Sequence, residues 1–176
     1  MKHIIAFAGS SSTTSINKQL ATYTSSLVDN AQTTVLDLND FSLPLYSIDL
    51  EKEQGIPDNA LKFLEHIKNS DGIVVSLAEH NGAYATVFKN IFDWMSRAEQ
   101  KLFMNKPMLL MATSPGARGG ASVLEMAKDR FPRHAANVVS TFSLPSFNNN
   151  FSDGKITNDE LNSELQSAVS TFKNSI

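Results

Sequence analysis

Strand-like and helix-like runs alternate from one end of this chain to the other, and that alternation constrains the fold more than any single motif. Residues 3–8 are an apolar run closed by Gly9, after which Ile16, Leu20, Tyr23 and Leu27 recur at helical spacing. Residues 33–38 are a β-rich run closed by Asn39-Asp40. Residues 39–57, with Pro44, Gly55 and Pro57, read as an irregular connection. Leu61, Leu64 and Ile67 predict a helix over 58–68, and residues 73–77 form a nearly continuous apolar strand of the buried, parallel kind. A helix over 84–97 and a strand over 107–113 follow. A glycine-rich turn at 114–120 then opens a helix ending near Phe131, and 137–142 is a fifth strand. Residues 144–156 read as a polar connection in which Asn148-Asn149-Asn150 is a solvated turn. Thr157-Asn158-Asp159-Glu160 has the form of a capping box opening a last helix, with Leu161, Leu165, Ala168, Val169 and Phe172 facing inward.

With five strands and five helices in alternation over 176 residues, and no repeat or domain boundary, the expectation is one domain over residues 1–176. The pattern predicts a three-layer α/β sandwich around a five-stranded parallel sheet in the flavodoxin-like order 2-1-3-4-5. In that order the switch point falls between the first and third strands, and ligands bind outside the carboxyl ends of the strands there. The loops after strands one and three must then both carry chemistry. The latter is Ala78-Glu79-His80-Asn81-Gly82-Ala83-Tyr84, where strand hydrophobicity stops abruptly. The loop at 114–120 is also glycine-rich. Three loops are thus expected at one edge, supplying a phosphate site, a platform for a planar ring and a second wall.

The loop after strand one is the most telling. Gly9-Ser10-Ser11-Ser12-Thr13-Thr14-Ser15 is seven residues of glycine and hydroxyls running into a helix N-terminus. The unpaired N–H groups of a first helical turn, and the positive end of its dipole, make such a place a receptacle for an anion. A polar turn with a Ser or Thr cap would need fewer hydroxyls than these. No GxxxxGK[ST] is present, so no lysine serves a nucleotide β/γ-phosphate, and no GxGxxG marks a dinucleotide site. A phosphate monoester is what remains.

Charge and composition narrow the classes further. Formal net charge is −3, with no electrostatic reason to expect a nucleic acid or an anionic membrane as partner. No apolar run is long enough to span a bilayer and the N-terminus begins a strand, so the expectation is a soluble, cytoplasmic protein. Cysteine is absent, which removes disulfides, thiolate nucleophiles and iron–sulfur clusters; any electron transfer must use a bound organic cofactor. His3, His66, His80 and His134 show no metal-ligand spacing, and no metal is expected.

Together these motifs resemble the NAD(P)H-dependent FMN reductases of flavodoxin-like fold, which include bacterial quinone, azo-dye and chromate reductases. That family carries GSxRxxSxN after strand one, where this chain has Gly9 to Asn17. It carries PEYNG and then KNxxDW, where this chain has Ala78-Glu79-His80-Asn81-Gly82 and Lys89-Asn90-Ile91-Phe92-Asp93-Trp94. Ser114, Gly116, Gly119 and Gly120 match its serine and glycines after strand four. The resemblance implies an oxidoreductase with FMN as cofactor and NADPH or NADH as co-substrate, reducing a small-molecule acceptor such as a quinone, azo compound or flavin. It implies that Ser10, Ser12, Ser15, Ile16 and Asn17 hold the FMN phosphate. Ala78, Glu79, His80, Asn81 and Gly82 would run along the isoalloxazine edge, and Gly119 and Gly120 would allow backbone donors near N1 and O2. No residue is expected to act covalently or as a metal ligand.

Departures from the pattern are specific. The family arginine falls on Ser12, with Arg118 as a candidate replacement, and the family tyrosine falls on His80. His80 reads as a contact residue rather than an acid or base, because hydride transfer to a flavin needs neither in that step. Asn81-Gly82 is also an ordinary turn dipeptide. Glu79 could pair with an arginine across a subunit interface or be a free surface charge. Phe92 and Trp94 flank the helix stripe of Tyr84, Val87, Phe88, Ile91 and Met95; they read equally as core and as a homodimer or homotetramer interface. Lys89, Asn90 and Asp93 are expected to hold loop and helix together. Two other readings remain: a non-enzymatic flavodoxin-type carrier and a flavin-less binding protein of the same fold.

Overall fold

A computed structural model describes residues 1–176. Five strands form its central sheet: β1 (Lys2–Gly9), β2 (Ala31–Leu36), β3 (Gly72–Leu77), β4 (Pro107–Thr113) and β5 (Asn137–Leu144). All neighbours are parallel and the order is β2-β1-β3-β4-β5, as the alternation predicts. The long helices are α1 (Ile16–Ser26), α2 (Asp58–Lys68), α3 (Thr86–Ala98), α4 (Ala121–Arg130) and α5 (Asp159–Lys173).

Side chains alternate across the sheet and sort the core into two layers. Ile5, Phe7, Ile73, Val75, Met108 and Leu110 point to one face, where α2, α3 and α4 cover them with Phe63, Phe88, Trp94 and Leu124. Ile4, Ala6, Val74, Leu109, Met111 and Phe142 point to the other, under α1 and α5 with Leu20, Leu165, Val169 and Phe172. Burial on both faces is why the central strands read as unbroken apolar runs. Gly9 lies level with Leu77, and Leu77 with Ala112, so the chain leaves β1, β3 and β4 side by side at the carboxyl edge.

Where the structure departs from the expected elements, local hydrogen bonding is the reason. Strand two ends at Leu36 because Asp37 turns its carboxylate back to accept from Asn39 N–H, starting a 3-10 turn over Leu38–Phe41. Residues 39–57 are not irregular throughout: Ser47 caps a short helix, Ile48–Gln54, by accepting from Leu50 N–H. The helix expected from 84 begins at Thr86. Tyr84 instead belongs to a hairpin, Glu79–His80 paired with Ala83–Tyr84. Its turn is Asn81-Gly82 with φ of 52° and 74°, the left-handed pair that two-residue hairpins require and that Asn-Gly adopts at low cost. Asn148–Asn150 is a helical turn (Phe147–Asn150), fastened by Asn150 Nδ2 donating to Pro145 O, and a hairpin of Phe151–Ser152 with Lys155–Ile156 follows. Helix α5 is capped by Asn158, which accepts from Leu161 N–H, one residue later than the capping box places it.

Candidate active site at the carboxyl edge

Helix α1 opens on Ser15, whose hydroxyl oxygen accepts from Lys18 N–H at 3.1 Å, while Gln19 N–H donates to Ser15 O. The N–H groups of Ile16 and Asn17 make no hydrogen bond within the chain and stay available as donors. The preceding hydroxyls organise one another: Ser12 N–H donates to Ser10 Oγ and Thr14 N–H to Ser12 Oγ. These groups face a cavity of ≈ 200 Å³ lined by Ser10, Ser12, Thr14, Ser15, Ile16 and Asn17 on one side and Ala78, Glu79, His80, Thr113 and Pro115 on the other.

Asn17 has a second task. Its side chain is buried and committed to the sheet: Nδ2 donates to Thr113 O at 3.2 Å, and Oδ1 accepts from Thr113 N–H at 3.1 Å and from Ser76 Oγ–H at 2.7 Å. Only its backbone N–H is free for a ligand. The Ser76 and Thr113 partners, and Thr14 and Pro115 in the lining, are not among the site residues expected from the sequence. A serine and a threonine interrupting two otherwise apolar central strands near their carboxyl ends are the signal that could have found the first two.

The other expected site residues divide. Asn81, Gly82, Ser114, Gly116, Gly119 and Gly120 do not line this cavity. In the 114–120 turn, Gly119 N–H already donates to Gly116 O, and Ser114 Oγ–H donates to the same carbonyl at 3.2 Å. Arg118 turns to its own helix, donating to Ser122 Oγ at 3.2 Å, and is not in the lining either. The lining therefore contains no lysine or arginine. Glu79 is half-buried and meets no arginine: its Oε2 accepts from Val123 N–H at 2.8 Å. No group of acidic or histidine residues is arranged to hold a metal ion.

Beside the cleft, Ser11 of the same loop lines a second cavity of ≈ 420 Å³, bounded by residues 38–45 and by Thr86, Val87, Asn90 and Ile91 of α3. Segment 44–46 is pinned to that helix, because Asn90 Nδ2 and Trp94 Nε1 both donate to Pro44 O and Tyr46 N–H donates to Asn90 Oδ1. Arg97 and Tyr46 converge on Glu51, and the Arg97 guanidinium holds the Glu51 carboxyl below its ordinary range. Phe92 and Trp94 are 5% and 0% exposed, so the aromatic area weighed as an association surface is consumed inside the chain. Lys89 pairs with Asp93 one turn along within α3, so of the three residues expected to hold loop and helix together Asn90 does so.

A helix start with two free N–H groups, a hairpin beside it and a 2-1-3-4-5 parallel sheet define a protein of flavodoxin-like fold. The family model for NADPH-dependent FMN reductases matches residues 2–149, and the chain belongs to that family. A quinone reductase of Escherichia coli strain K12 is 35% identical over 79 residues, covering 45% of this chain and 42% of that protein. A 2-hydroxy-1,4-benzoquinone reductase from a Burkholderia species is 36% identical over 120 residues, covering 67% of this chain and 63% of that one. The matches thus span about half the length of these curated relatives. Among solved structures, the flavoenzyme NAD(P)H:(acceptor) oxidoreductase of Paracoccus denitrificans superposes with a TM-score of 0.78 at 24% identity, over 99% of this chain and 97% of that one. That likeness establishes the fold.

Proposed function

We propose that this protein is an FMN-dependent NAD(P)H oxidoreductase that passes electrons to a small acceptor such as a quinone, azo compound or flavin. The observation that carries the reading is the start of α1. Two free N–H groups and a ring of hydroxyls converge on one spot beside the 78–80 strand, which suits a phosphate monoester with a planar ring attached. FMN, when bound, supplies the hydride-accepting chemistry; the protein supplies orientation and backbone donors. Ser10, Ser12, Ser15 and the N–H groups of Ile16 and Asn17 would hold the phosphate, and residues 78–82 would flank the ring. Ser114, Gly116, Gly119 and Gly120 would form the second wall.

The whole chain acts as one domain in this proposal, in the cytoplasm, and as a homodimer or homotetramer. No helix is long and apolar enough to cross a membrane. Exposed Leu45, Ile48, Leu61 and Met126 are the apolar surface that self-association would cover. The test is a titration of apo-protein with FMN, then anaerobic addition of NADPH or NADH while the visible flavin band is followed. Saturable binding with rapid bleaching is expected. Binding without bleaching would support a carrier, and no binding would remove the flavin reading.

A further inference from the structure

Helix α4 begins without a cap of its own. Its N-cap is Gly120, in the left-handed region at φ 76°, and its first turn holds no acidic residue. A side chain cannot be added there, because a Cβ would stand 2.8 Å from Ala112 Cβ. At Gly119 a Cβ would stand 3.0 Å from the backbone of Leu144 and closer still to Ser143 Oγ. The turn is pressed too tightly on β4 and β5 for any local capping residue. The cap comes instead from 44 residues earlier, where Glu79 Oε2 accepts from Val123 N–H at 2.8 Å. A carboxylate suits a helix N-terminus both as acceptor and as charge.

Glu79 is also the first residue of the hairpin that flanks the cleft, and it lines the cleft itself. That hairpin has two residues per strand, too few to hold its own position. Its second strand is fixed at the base by the Tyr84 ring, stacked on Phe131 with centroids 6.1 Å apart and tilted against Phe88 at 5.4 Å. Glu79, directly opposite Tyr84, is the polar tether of the first strand. Without it, His80–Gly82 would swing about the Tyr84 anchor.

We propose that Glu79 is a positioning residue, its carboxylate clamping the 78–82 ring platform onto the start of α4. The inference rests on the FMN reading for its consequence in binding, but not for the clamp itself. The test compares Glu79→Ala and Glu79→Gln with the wild-type protein. Amide exchange at Val123 and residues 78–83 is measured in the apo-protein, and dissociation constants are measured for FMN and for riboflavin. In the alanine variant exchange at those amides should rise about tenfold or more, and both flavins should weaken by the same factor, about tenfold, because the phosphate loop is untouched. The glutamine variant keeps an acceptor oxygen and should restore exchange and both affinities to within about threefold. Wild-type exchange and affinities in the alanine variant would overturn the proposal. So would weakening of FMN with riboflavin unchanged, or a glutamine variant as impaired as alanine. If the alanine variant does not fold, Glu79→Asp, which withdraws the carboxylate by one methylene, is measured in its place with the same criteria. If the wild-type protein binds neither flavin, the FMN reading falls alone, and the exchange data still decide whether the clamp exists.

Discussion

Asn17 and Thr113 exchange a pair of hydrogen bonds across the carboxyl edge: Asn17 Nδ2 donates to Thr113 O, and Thr113 N–H donates to Asn17 Oδ1. The asparagine amide behaves as a further peptide unit paired with the end of β4, and Ser76 of β3 donates to the same oxygen. One side chain on the first turn of α1 thereby locks the phosphate loop to the two central strands that border the cleft. Backbone donors in that turn are held in place before a ligand arrives, which is the condition for oriented N–H groups to bind an anion without reorganisation.

Asn17→Ala should cost about 2–4 kcal/mol, since it orphans the buried Thr113 N–H and Ser76 hydroxyl together. Denaturant unfolding of the apo-protein measures this. Asn17→Asp should be at least as destabilising, because a carboxylate cannot donate to Thr113 O. A change within experimental error for both variants would show that the pairing is dispensable.

The proposed phosphate site offers neutral donors, with no lysine or arginine in its lining. FMN affinity should therefore vary by no more than about threefold over a tenfold range of potassium chloride, since screening acts on charge pairs. Ser12→Arg should tighten FMN about tenfold at low salt through a charge-assisted contact and make binding salt-dependent. Isothermal titration at several ionic strengths separates the two behaviours.

The Tyr84 hydroxyl is buried without a hydrogen-bond partner among Phe88, Phe92 and Phe131, and burial pushes its pKa up to about 12. The unfolded phenol ionises near pH ~10. Because the folded state resists ionisation, stability is retained below that pH and falls as the pH rises from ~10 toward 12. Tyr84→Phe removes the orphaned hydroxyl and should raise stability by up to about 1 kcal/mol at neutral pH, more above pH ~10. Thermal unfolding at neutral and alkaline pH reads both effects.

Asp71 joins the start of β3 to β1: its carboxylate accepts from His3 N–H at 2.8 Å, and its own N–H donates to His3 O. The His3 N–H bond is the main cause that lowers the Asp71 pKa, with Lys2 adding to it. A lowered folded-state pKa gives stability that is present above the unfolded value of ~3.9 and is lost as pH falls through the folded one. Asp71→Asn should flatten part of the acid limb of the stability profile by losing, at pH ~7, the increment that the ionised carboxylate supplies, with little change at low pH. An acid limb identical to wild type would remove Asp71 from it.

Strand order and layer assignment were legible from the chain because they depend on local pattern. Unbroken apolar runs such as 73–77 mark strands buried on both faces, and helical spacing marks the helices between them. A hydroxyl-rich loop ahead of a helix marks an anion site whatever surrounds it. Partner choice across the fold is not written in pattern. Whether Glu79 meets solvent, an arginine or a helix start depends on where residue 123 lands, 44 positions away. Trp94 looked equally like core and like interface, until Pro44 O arrived to accept from its Nε1 and segment 44–46 closed over it. The sequence by itself determined the five strands of the sheet and the five long helices, and marked a candidate anion site. Only the tertiary structure decided which polar groups satisfy one another at the edge of the sheet, because a buried hydrogen bond is set by proximity in space, and residues distant in sequence supply it.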